Sequence, residues 1–422
     1  MAADYDLAGI GIGPFNLSLA SLLASVTGIR SRFFEARRTF RWHEELMLPQ
    51  VKMQNSFLKD LVTGADPTSP YSFINYLFTE GLFYHFINTG RDYIEREEFE
   101  RYCCWVVSQL SNLCFGEPVR EIRYQQKQFF IRSETATYTA KNICIGSGQS
   151  PFIPQCTKSH IGPGLFHAKS DYLSGLELPN KSLVIIGGGQ TGAEICLAAL
   201  KGHWGRPSRI SFISRRCNFQ PIDASPFANE TFTPSYIEEF CKLSGSQKKR
   251  LVSCQKLTSD GISEETLKDL YNQIYQSLVR KEPVSVSMLP GRELIHVSPD
   301  GSGYNLTFEN HLCETNETIQ GDIVILATGF CNQLPEYLEP VLPLISLNSD
   351  GLFQIDRNYC LDWEHSEQNS IYALNYGRNS IGISDPQTSL MAWRSGRIVN
   401  HLTRTRQFKI GDEAPCALSL SL

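Results

Sequence analysis

The sequence predicts an α/β fold, because it contains two copies of a unit in which an apolar strand leads through a glycine-rich turn into an apolar helix. The first copy has its strand at residues 7–12, the turn GIGPFN at 11–16 and its helix from 17 to about 26. The second copy has its strand at 183–186, the turn GGGQTG at 187–192 and its helix at 193–200. Short apolar runs before such turns are typical of buried strands in a parallel sheet.

The first unit has the features of a site for the pyrophosphate of a dinucleotide. Gly11 allows a tight turn, and Gly13 allows the backbone to approach the pyrophosphate. The helix that follows offers free N–H groups and the positive end of its dipole. The next strand, at 32–34, ends in Glu35, whose carboxylate is suited to a ribose. Asn16 replaces the third glycine of the pattern, so an ordinary glycine-containing turn is the alternative.

The second unit carries the full three-glycine pattern and ends differently. Its next strand, at 209–214, is followed by Arg215 and Arg216 instead of an acidic residue. Two arginines at this place suit the 2′-phosphate of NADP(H) better than the free ribose of NAD(H). The alternative is a surface pair of arginines without a ligand.

Two dinucleotide units in one chain are typical of flavoproteins that bind FAD in the first unit and a nicotinamide cofactor in the second. The two Rossmann-like domains must face each other, since hydride transfer requires the nicotinamide to stack on the flavin. We expect a discontinuous FAD-binding domain at 1–160 and 321–422, an inserted NADPH-binding domain at 161–220 and 282–320, and a small helical substrate-binding subdomain at 221–281. The strand that begins at Asp322 is expected to return the chain to the FAD domain.

The remaining elements are predicted from periodicity and from the positions of Gly and Pro. Helices are expected at 71–80, 96–110 and 387–402, and through 235–281 with a break at 257–261. Strands are expected at 119–123, 129–132, 138–140, 141–147, 284–288, 293–297, 304–308 and 371–374.

Composition excludes several classes of protein. The chain has 422 residues, 41% hydrophobic and 20% charged, with a net charge of −5, so nothing favours nucleic-acid binding. We expect no signal peptide, no membrane span and no metal site. The 13 cysteines include no CxxC, which favours a reducing, cytoplasmic location and argues against a disulfide reductase. The FxGxxxHxxxW motif of Baeyer–Villiger monooxygenases is also absent, since 166–172 reads FHAKSDY.

Four segments resemble the lysine/ornithine N-hydroxylase family of flavin monooxygenases. They are GIGPFNLSLA at 11–20, WHEELMLPQVKMQNSFLKDLV at 42–62, FANE at 227–230 and LATGF at 326–330. The segments KLTSDGIS and SLMAWRSGRI are most similar to the lysine branch, and the diamine hydroxylases of the family are almost as similar. The resemblance covers nearly the whole chain.

The resemblance implies that a small primary amine is hydroxylated with FAD, NADPH and O2 in hydroxamate siderophore biosynthesis. Reduced flavin then forms a C4a-hydroperoxide, and a neutral amine attacks its distal oxygen. Because alkylamines have a pKa near 10.4, the amine must be deprotonated in a dry pocket. The expected substrates are lysine, cadaverine, putrescine or histamine, with ornithine less favoured. Homo-tetramers are common in this family.

Individual positions follow from the two patterns and from the resemblance together. The FAD contacts are expected to be Gly11, Gly13, Pro14, Phe15, Asn16, Glu35, Trp42, His43, Gln54, Val119, Thr328, Gly329, Pro386, Gln387 and Thr388. The NADPH contacts are expected to be Gly187, Gly189, Gln190, Thr191, Gly192, Ala193, Arg215 and Arg216. Catalytic roles fall to Gln54 beside the flavin and to Asn229 at the amine end. The substrate contacts are expected to be Lys59, Asn229, Ser259, Asp260 and Ser389.

Five of these cofactor and substrate positions also have a purely structural interpretation. Lys59 matches the partner of the substrate's α-carboxylate, but it is also read as a surface lysine. Asn229 and Ser389 are also interpreted as helix caps, Trp42 as a core residue, and His43 as a packing residue rather than a base.

Two departures from the family pattern affect the choice of substrate. Ser259 and Asp260 stand where ornithine hydroxylases often have an Asn that holds the carboxylate, and a free Asp260 would favour a second ammonium instead. Phe330 replaces a common Tyr, which we expect to change little. Two other functions stay open: an NADPH-dependent flavin reductase or oxidase without oxygen insertion, and a non-catalytic flavin-binding module.

Overall fold

The computed structural model describes residues 3–49, 51–282, 284–411 and 417–420. Gln50, within the 42–62 motif, lies outside the described residues. Within them, strands and helices form two main sheets, a three-stranded antiparallel sheet and a group of helices.

The first sheet has a parallel part and an antiparallel part that share one long strand. Tyr5–Ile10 lies in parallel between Ser31–Glu35 and Thr137–Ile145. On its other edge, Thr137–Ile145 pairs first with Gln128–Ser133 and then with Ile371–Ala373. The outer strands are Leu113–Phe115 and Val119–Gln125. The separate strands expected at 138–140 and 141–147 are therefore one strand, because a single strand serves two partners along its length.

The second sheet has five parallel strands. Their spatial order is Leu165–His167, Ile323–Leu326, Ser182–Ile186, Arg209–Ile213 and Ser285–Leu289. The strand Ile323–Leu326 was expected to return the chain to the first domain, and this expectation is wrong. All four of its residues are apolar and buried, and they lie between two neighbouring strands of the second sheet. The chain crosses back only afterwards, where Phe330–Cys331 pairs with Ser150–Pro151.

Smaller strands and the helices complete the fold. The three-stranded sheet contains Arg292–Asp300, Gly303–Asn310 and Thr315–Gly321, and a two-stranded sheet contains Lys52–Ser56 and Tyr93–Glu95. The α-helices are Pro14–Leu23, Phe73–Thr79, Phe83–Asn88, Arg96–Gln109, Gln190–Leu200, Pro226–Asn229, Pro234–Lys242, Gly245–Cys254, Lys256–Asp260, Glu264–Val279, Arg378–Ile381 and Met391–Thr403.

The helical region differs from the prediction in where it is broken. The break expected at 257–261 falls on the short helix Lys256–Asp260. Ser244 instead begins one helix with a capping box, and Ser263 begins the next by accepting a hydrogen bond from the amide of Thr266. The last helix begins at Met391, because residues 388–390 form a 3-10 turn.

Two helices of the first domain bring distant parts of the chain together. Pro14–Leu23, which follows the first glycine turn, packs against Met391–Thr403. Between them, Ser18 Oγ donates to the carbonyl of Leu61 and lies 2.9 Å from Ser395 Oγ. The segment before residue 391 is thereby held next to the first glycine turn.

In the part of the chain that the structure describes, no helix is long and apolar enough to cross a membrane. The 12 cysteines among these residues are all free. No group of three or more His, Cys, Asp or Glu side chains in the same residues could hold a metal ion.

Candidate active site

The two glycine turns have the same geometry. Gly11 and Gly187 have φ angles of 85° and 127°, and a Cβ atom at either would lie 2.6 or 2.1 Å from a backbone carbonyl. Gly13 and Gly189 begin the two helices without a side-chain cap, and a Cβ atom at either would meet nothing within 4 Å. Both helix N-termini are therefore open to an anion, so the residues fit two dinucleotides.

Asn16 supports the first turn instead of weakening it. Its buried Nδ2 donates to the carbonyls of Ile10, at 3.2 Å, and Gly11, at 2.8 Å. A Cβ atom on Gly146 would lie 2.4 Å from this amide, so the two chains approach closely here. Asn16 thus closes the turn by hydrogen bonding, where a third glycine would do so by its small size.

Glu35 lies against the same turn. Its Oε2 accepts a hydrogen bond from the amide of Ile12 at 2.8 Å, and its Oε1 accepts one from the amide of Arg37 at 3.0 Å. The amide of Glu117 donates to the carbonyl of Glu35, which brings Val119 to the same end of the sheet. The carboxylate is therefore placed where a ribose contact was predicted.

Trp42 and His43 lie in a buried aromatic group. The Trp42 ring is 5.0 Å from Phe99 and 4.7 Å from His43. Burial, together with the charges of Arg96 and Lys169, lowers the pKa of His43 to about 3. His43 is therefore a neutral packing residue, not a base. Its Nδ1 is buried and has no hydrogen-bond partner among the described residues.

Gln54 connects the two domains. Its Nε2 donates to Gln190 Oε1 at 3.4 Å, at the first turn of the helix that follows the second glycine turn. Gln190 is held in turn by the amide of Ser263 at 2.7 Å and by Glu194 at 2.8 Å. Glu194 forms a two-pronged ion pair with Arg96 at 3.1 and 3.2 Å. A cavity of about 720 Å³ lies beside this network.

The segment at 386–390, before the last helix, lies between the strand Lys52–Ser56 and the first glycine turn. Thr388 Oγ1 accepts a hydrogen bond from Asn55 at 2.7 Å. Arg394 lies 4.4 Å over the Phe15 ring and 3.7 Å from Asp385. Pro386, Gln387 and Ser389 lie in this same half-buried segment. The last helix begins at Met391 and its N-cap position is Leu390, not Ser389, so the cap interpretation of Ser389 is wrong.

Thr328 and Gly329 lie where the chain crosses between the sheets. Gly329 has a φ of 81°, and its carbonyl accepts a hydrogen bond from the amide of Phe152 at 2.9 Å. Thr328 Oγ1 donates to the carbonyl of Phe152. The Nε2 atom of His167 lies 3.0 Å from the Gly329 carbonyl. Thr328 and Gly329 therefore belong to the connection between the two domains.

Lys59 is a cation without an ionic partner among the described residues. It follows the strand that carries Gln54, and its amide donates to the carbonyl of Ser56. The residue is exposed, as in the surface-lysine interpretation, and partial burial of its ammonium lowers the pKa below the usual value. Asn229 is exposed at the end of Pro226–Asn229, and its Nδ2 donates to the carbonyl of Ala224 at 3.1 Å.

Asn229 stands at the N-cap position of the 3-10 helix Glu230–Phe232, but its side chain makes no capping hydrogen bond. Ser225 caps Pro226–Asn229, and Thr233 caps the helix that starts at Pro234. The cap interpretation therefore holds for the position of Asn229 but not for its side chain, and its predicted contact with the amine stays a prediction.

Asp260 is not the free carboxylate that the sequence suggested. Arg378 Nη2 donates to Ser259 Oγ at 2.9 Å and to the two carboxylate oxygens of Asp260 at 3.2 and 3.0 Å. Arg216 Nη2 donates to the backbone carbonyl of Asp260 at 2.7 Å. Sequence reasoning missed Arg378, because it lies 118 positions from Asp260 and no local pattern marks it.

The two arginines after the second unit have different partners. Arg215 is exposed and lies 3.1 Å from Glu293, whose pKa it holds below the usual value. Arg216 donates to the backbone of Asp260 in the helical region, and its expected contact with NADPH stays a prediction. In the turn itself, Gly192 leaves no room for a side chain, since a Cβ atom would lie 2.2 Å from the carbonyl of Gly187. Thr191 is half-buried and Ala193 is buried in the same first helical turn.

Comparisons with known proteins agree with this arrangement. The chain is 38% identical to the L-lysine N6-monooxygenase of Escherichia coli over 405 residues, which cover 95% of each protein. It is 30% identical to the putrescine N-hydroxylase of Acinetobacter baumannii, covering 94% of this chain and 89% of that protein. The FAD-bound structure of the cadaverine monooxygenase DfoA from Erwinia amylovora superimposes with a TM-score of 0.92, at 25% identity and 99% coverage of both chains.

Residues 3–332 match the family described as L-lysine 6-monooxygenase/L-ornithine 5-monooxygenase. This match and the similar proteins confirm the predicted fold, the enzyme class and the use of FAD and NADPH. An enzyme of this class acts on an amine with O2, so the non-catalytic alternative falls away. The chain therefore belongs to this family of flavin-dependent N-hydroxylating monooxygenases.

Proposed function

We propose that the protein hydroxylates the terminal amine of L-lysine, as a step in the biosynthesis of a hydroxamate siderophore. The observation that carries this proposal is the unpaired ammonium of Lys59, since a cation of this kind is suited to the α-carboxylate of an amino acid. A diamine has no carboxylate to offer it. The similarity to the lysine monooxygenase of Escherichia coli supports the same choice.

The proposal gives each participant a place among the described residues. The open turns at Gly13 and Gly189 would hold the pyrophosphates of FAD and NADPH, and Glu35 would hold the FAD ribose. Bound FAD, reduced by NADPH, supplies the activated oxygen. The protein's own side chains position the amine and exclude water, with Gln54 between the two cofactor sites and Asn229 at the amine end.

A diamine is the second candidate substrate. The similarity to a putrescine N-hydroxylase and to a cadaverine monooxygenase favours it. The ion pair between Asp260 and Arg378 weakens it, because the carboxylate that would attract a second ammonium is already neutralised.

A substrate panel tests the proposal. FAD-loaded enzyme is incubated with NADPH and, separately, with lysine, ornithine, cadaverine, putrescine or histamine, and the hydroxylamine product is quantified by mass. We expect lysine to give the highest kcat/KM. A higher value for cadaverine or putrescine would replace lysine with the second candidate, and peroxide without product from any amine would favour an NADPH oxidase.

We also infer a cytoplasmic location and an oligomeric enzyme. The free cysteines support the first inference, since none of those in the described residues is in a disulfide. For the second, helix Glu264–Val279 exposes Tyr271, Tyr275 and Leu278 along one face, with exposures of 73%, 55% and 72%. Light scattering of the purified enzyme tests it, and a monomer at micromolar concentration would contradict it.

A further inference from the structure

Arg378 occupies a corner where three parts of the chain meet. It begins the short helix Arg378–Ile381, in the segment that leads to Ser389. Its partners, Ser259 and Asp260, end the helix Lys256–Asp260 in the helical region. Arg216, from the end of a strand in the second sheet, contacts the backbone of Asp260. The corner thus joins the helical region to the segment that leads to Ser389 and to the end of a strand in the second sheet.

A single nitrogen of Arg378 makes all of its side-chain contacts with Ser259 and Asp260. Nη2 donates to the hydroxyl of Ser259 and to both carboxylate oxygens of Asp260. Nη1 and Nε have no hydrogen-bond partner among the described residues, and the side chain of Arg378 remains 33% exposed. The N–H donors on Nη1 and Nε are therefore left for a ligand, and each can give a single charge-assisted hydrogen bond to a carboxylate.

We propose that Arg378 is the specificity-determining residue that makes the site select an amine with a carboxylate over a diamine. This inference rests on the proposed function, because it requires Ser259 to lie beside the bound substrate. Arg378 acts in two ways: it cancels the charge of Asp260, which would otherwise attract a second ammonium, and it offers its free N–H donors to the α-carboxylate. The Arg378–Asp260 pair then adds no net negative charge that would oppose a carboxylate.

A purely structural role is the alternative, since the ion pair also joins the helical region to the first domain. The chain offers a matched control for that role. Lys249, on helix Gly245–Cys254, lies 3.5 Å from Asp350 and joins the same two parts away from Ser259. Its removal takes one cation from the contact between these two parts without changing the charge beside Ser259.

The test compares kcat/KM for lysine and for cadaverine in wild type, Arg378→Gln, Asp260→Asn, the double variant and Lys249→Gln. In Arg378→Gln we expect kcat/KM for lysine to fall about tenfold through KM, the factor for one lost hydrogen bond to a charged group. The value for cadaverine should rise about fivefold, because Asp260 is freed. The double variant should lose the gain for cadaverine and keep the loss for lysine. Lys249→Gln should leave the ratio of the two values unchanged.

Three outcomes overturn the inference. One is an unchanged ratio in Arg378→Gln, another is a gain for cadaverine that persists in the double variant, and the third is an equal shift in Lys249→Gln. If Arg378→Gln does not fold, Asp260→Asn decides alone: the uncompensated Arg378 should lower kcat/KM for cadaverine about fivefold and should not lower it for lysine. The wild-type values separate the two proposals, since wild type without activity on lysine rejects the proposed function itself, whatever the variants do.

Discussion

Buried His43 should make the folded protein less stable as the pH falls. Its pKa is about 3 in the folded chain and 6.5 when unperturbed, because burial disfavours the imidazolium. The unfolded chain therefore takes up the proton first, so the stabilisation is complete above pH 6.5 and is lost as the pH falls towards 3. At about pH 5, the unfolded state holds nearly the full proton and the folded state almost none. The loss from this residue is then about 2 kcal/mol.

Urea denaturation of the FAD-saturated enzyme measures this contribution. Wild type, His43→Gln and the exposed control His85→Gln are compared at about pH 7 and about pH 5. Other titrating groups are shared, so we expect wild type and the control to lose about 2 kcal/mol more free energy of unfolding than His43→Gln. Equal losses in all three proteins would refute the assignment of His43 as a buried neutral residue.

Four further substitutions test three separate parts of the site. Lys59→Met should raise KM for lysine about tenfold and leave KM for cadaverine nearly unchanged, and an equal rise for both amines would remove its role with the carboxylate. Arg215→Gln should raise KM for NADPH about tenfold but not KM for NADH. Glu293→Gln, which frees the guanidinium of Arg215, should not raise KM for NADPH, and a rise would argue against a phosphate site there. Gly11→Ala should yield enzyme without bound FAD, seen as lost absorbance near 450 nm; a variant that retains its flavin would contradict the tight turn.

The two glycine turns could be predicted from sequence because their chemistry is local. A strand, a turn and a helix within about 20 residues carry both the φ requirement of Gly11 and the open helix end at Gly13. Glu35 follows the same local rule. The effect of Asn16 could not be predicted, since its value depends on how closely Gly146 approaches from another strand.

Features that depend on contacts between distant parts of the chain could not be predicted from the sequence. The place of Ile323–Leu326 in the second sheet depends on two strands that come about 140 residues earlier or more. In the same way, the charge of Asp260 is neutralised by its ion pair with Arg378, whereas the sequence alone led us to expect an unpaired Asp260. Of the site residues, local motifs therefore predicted the cofactor turns well, while the electrostatics around the substrate required the structure.

The measurement that tests the central claim most directly is the fate of oxygen during turnover with lysine. The FAD-loaded enzyme is supplied with NADPH and ¹⁸O2, and the label in the amine product is quantified against NADPH consumed. The account predicts hydroxylated lysine that carries one labelled oxygen on its terminal nitrogen, in nearly equal amount to the NADPH oxidised. NADPH consumption that produces only labelled peroxide, with lysine unchanged, would contradict it.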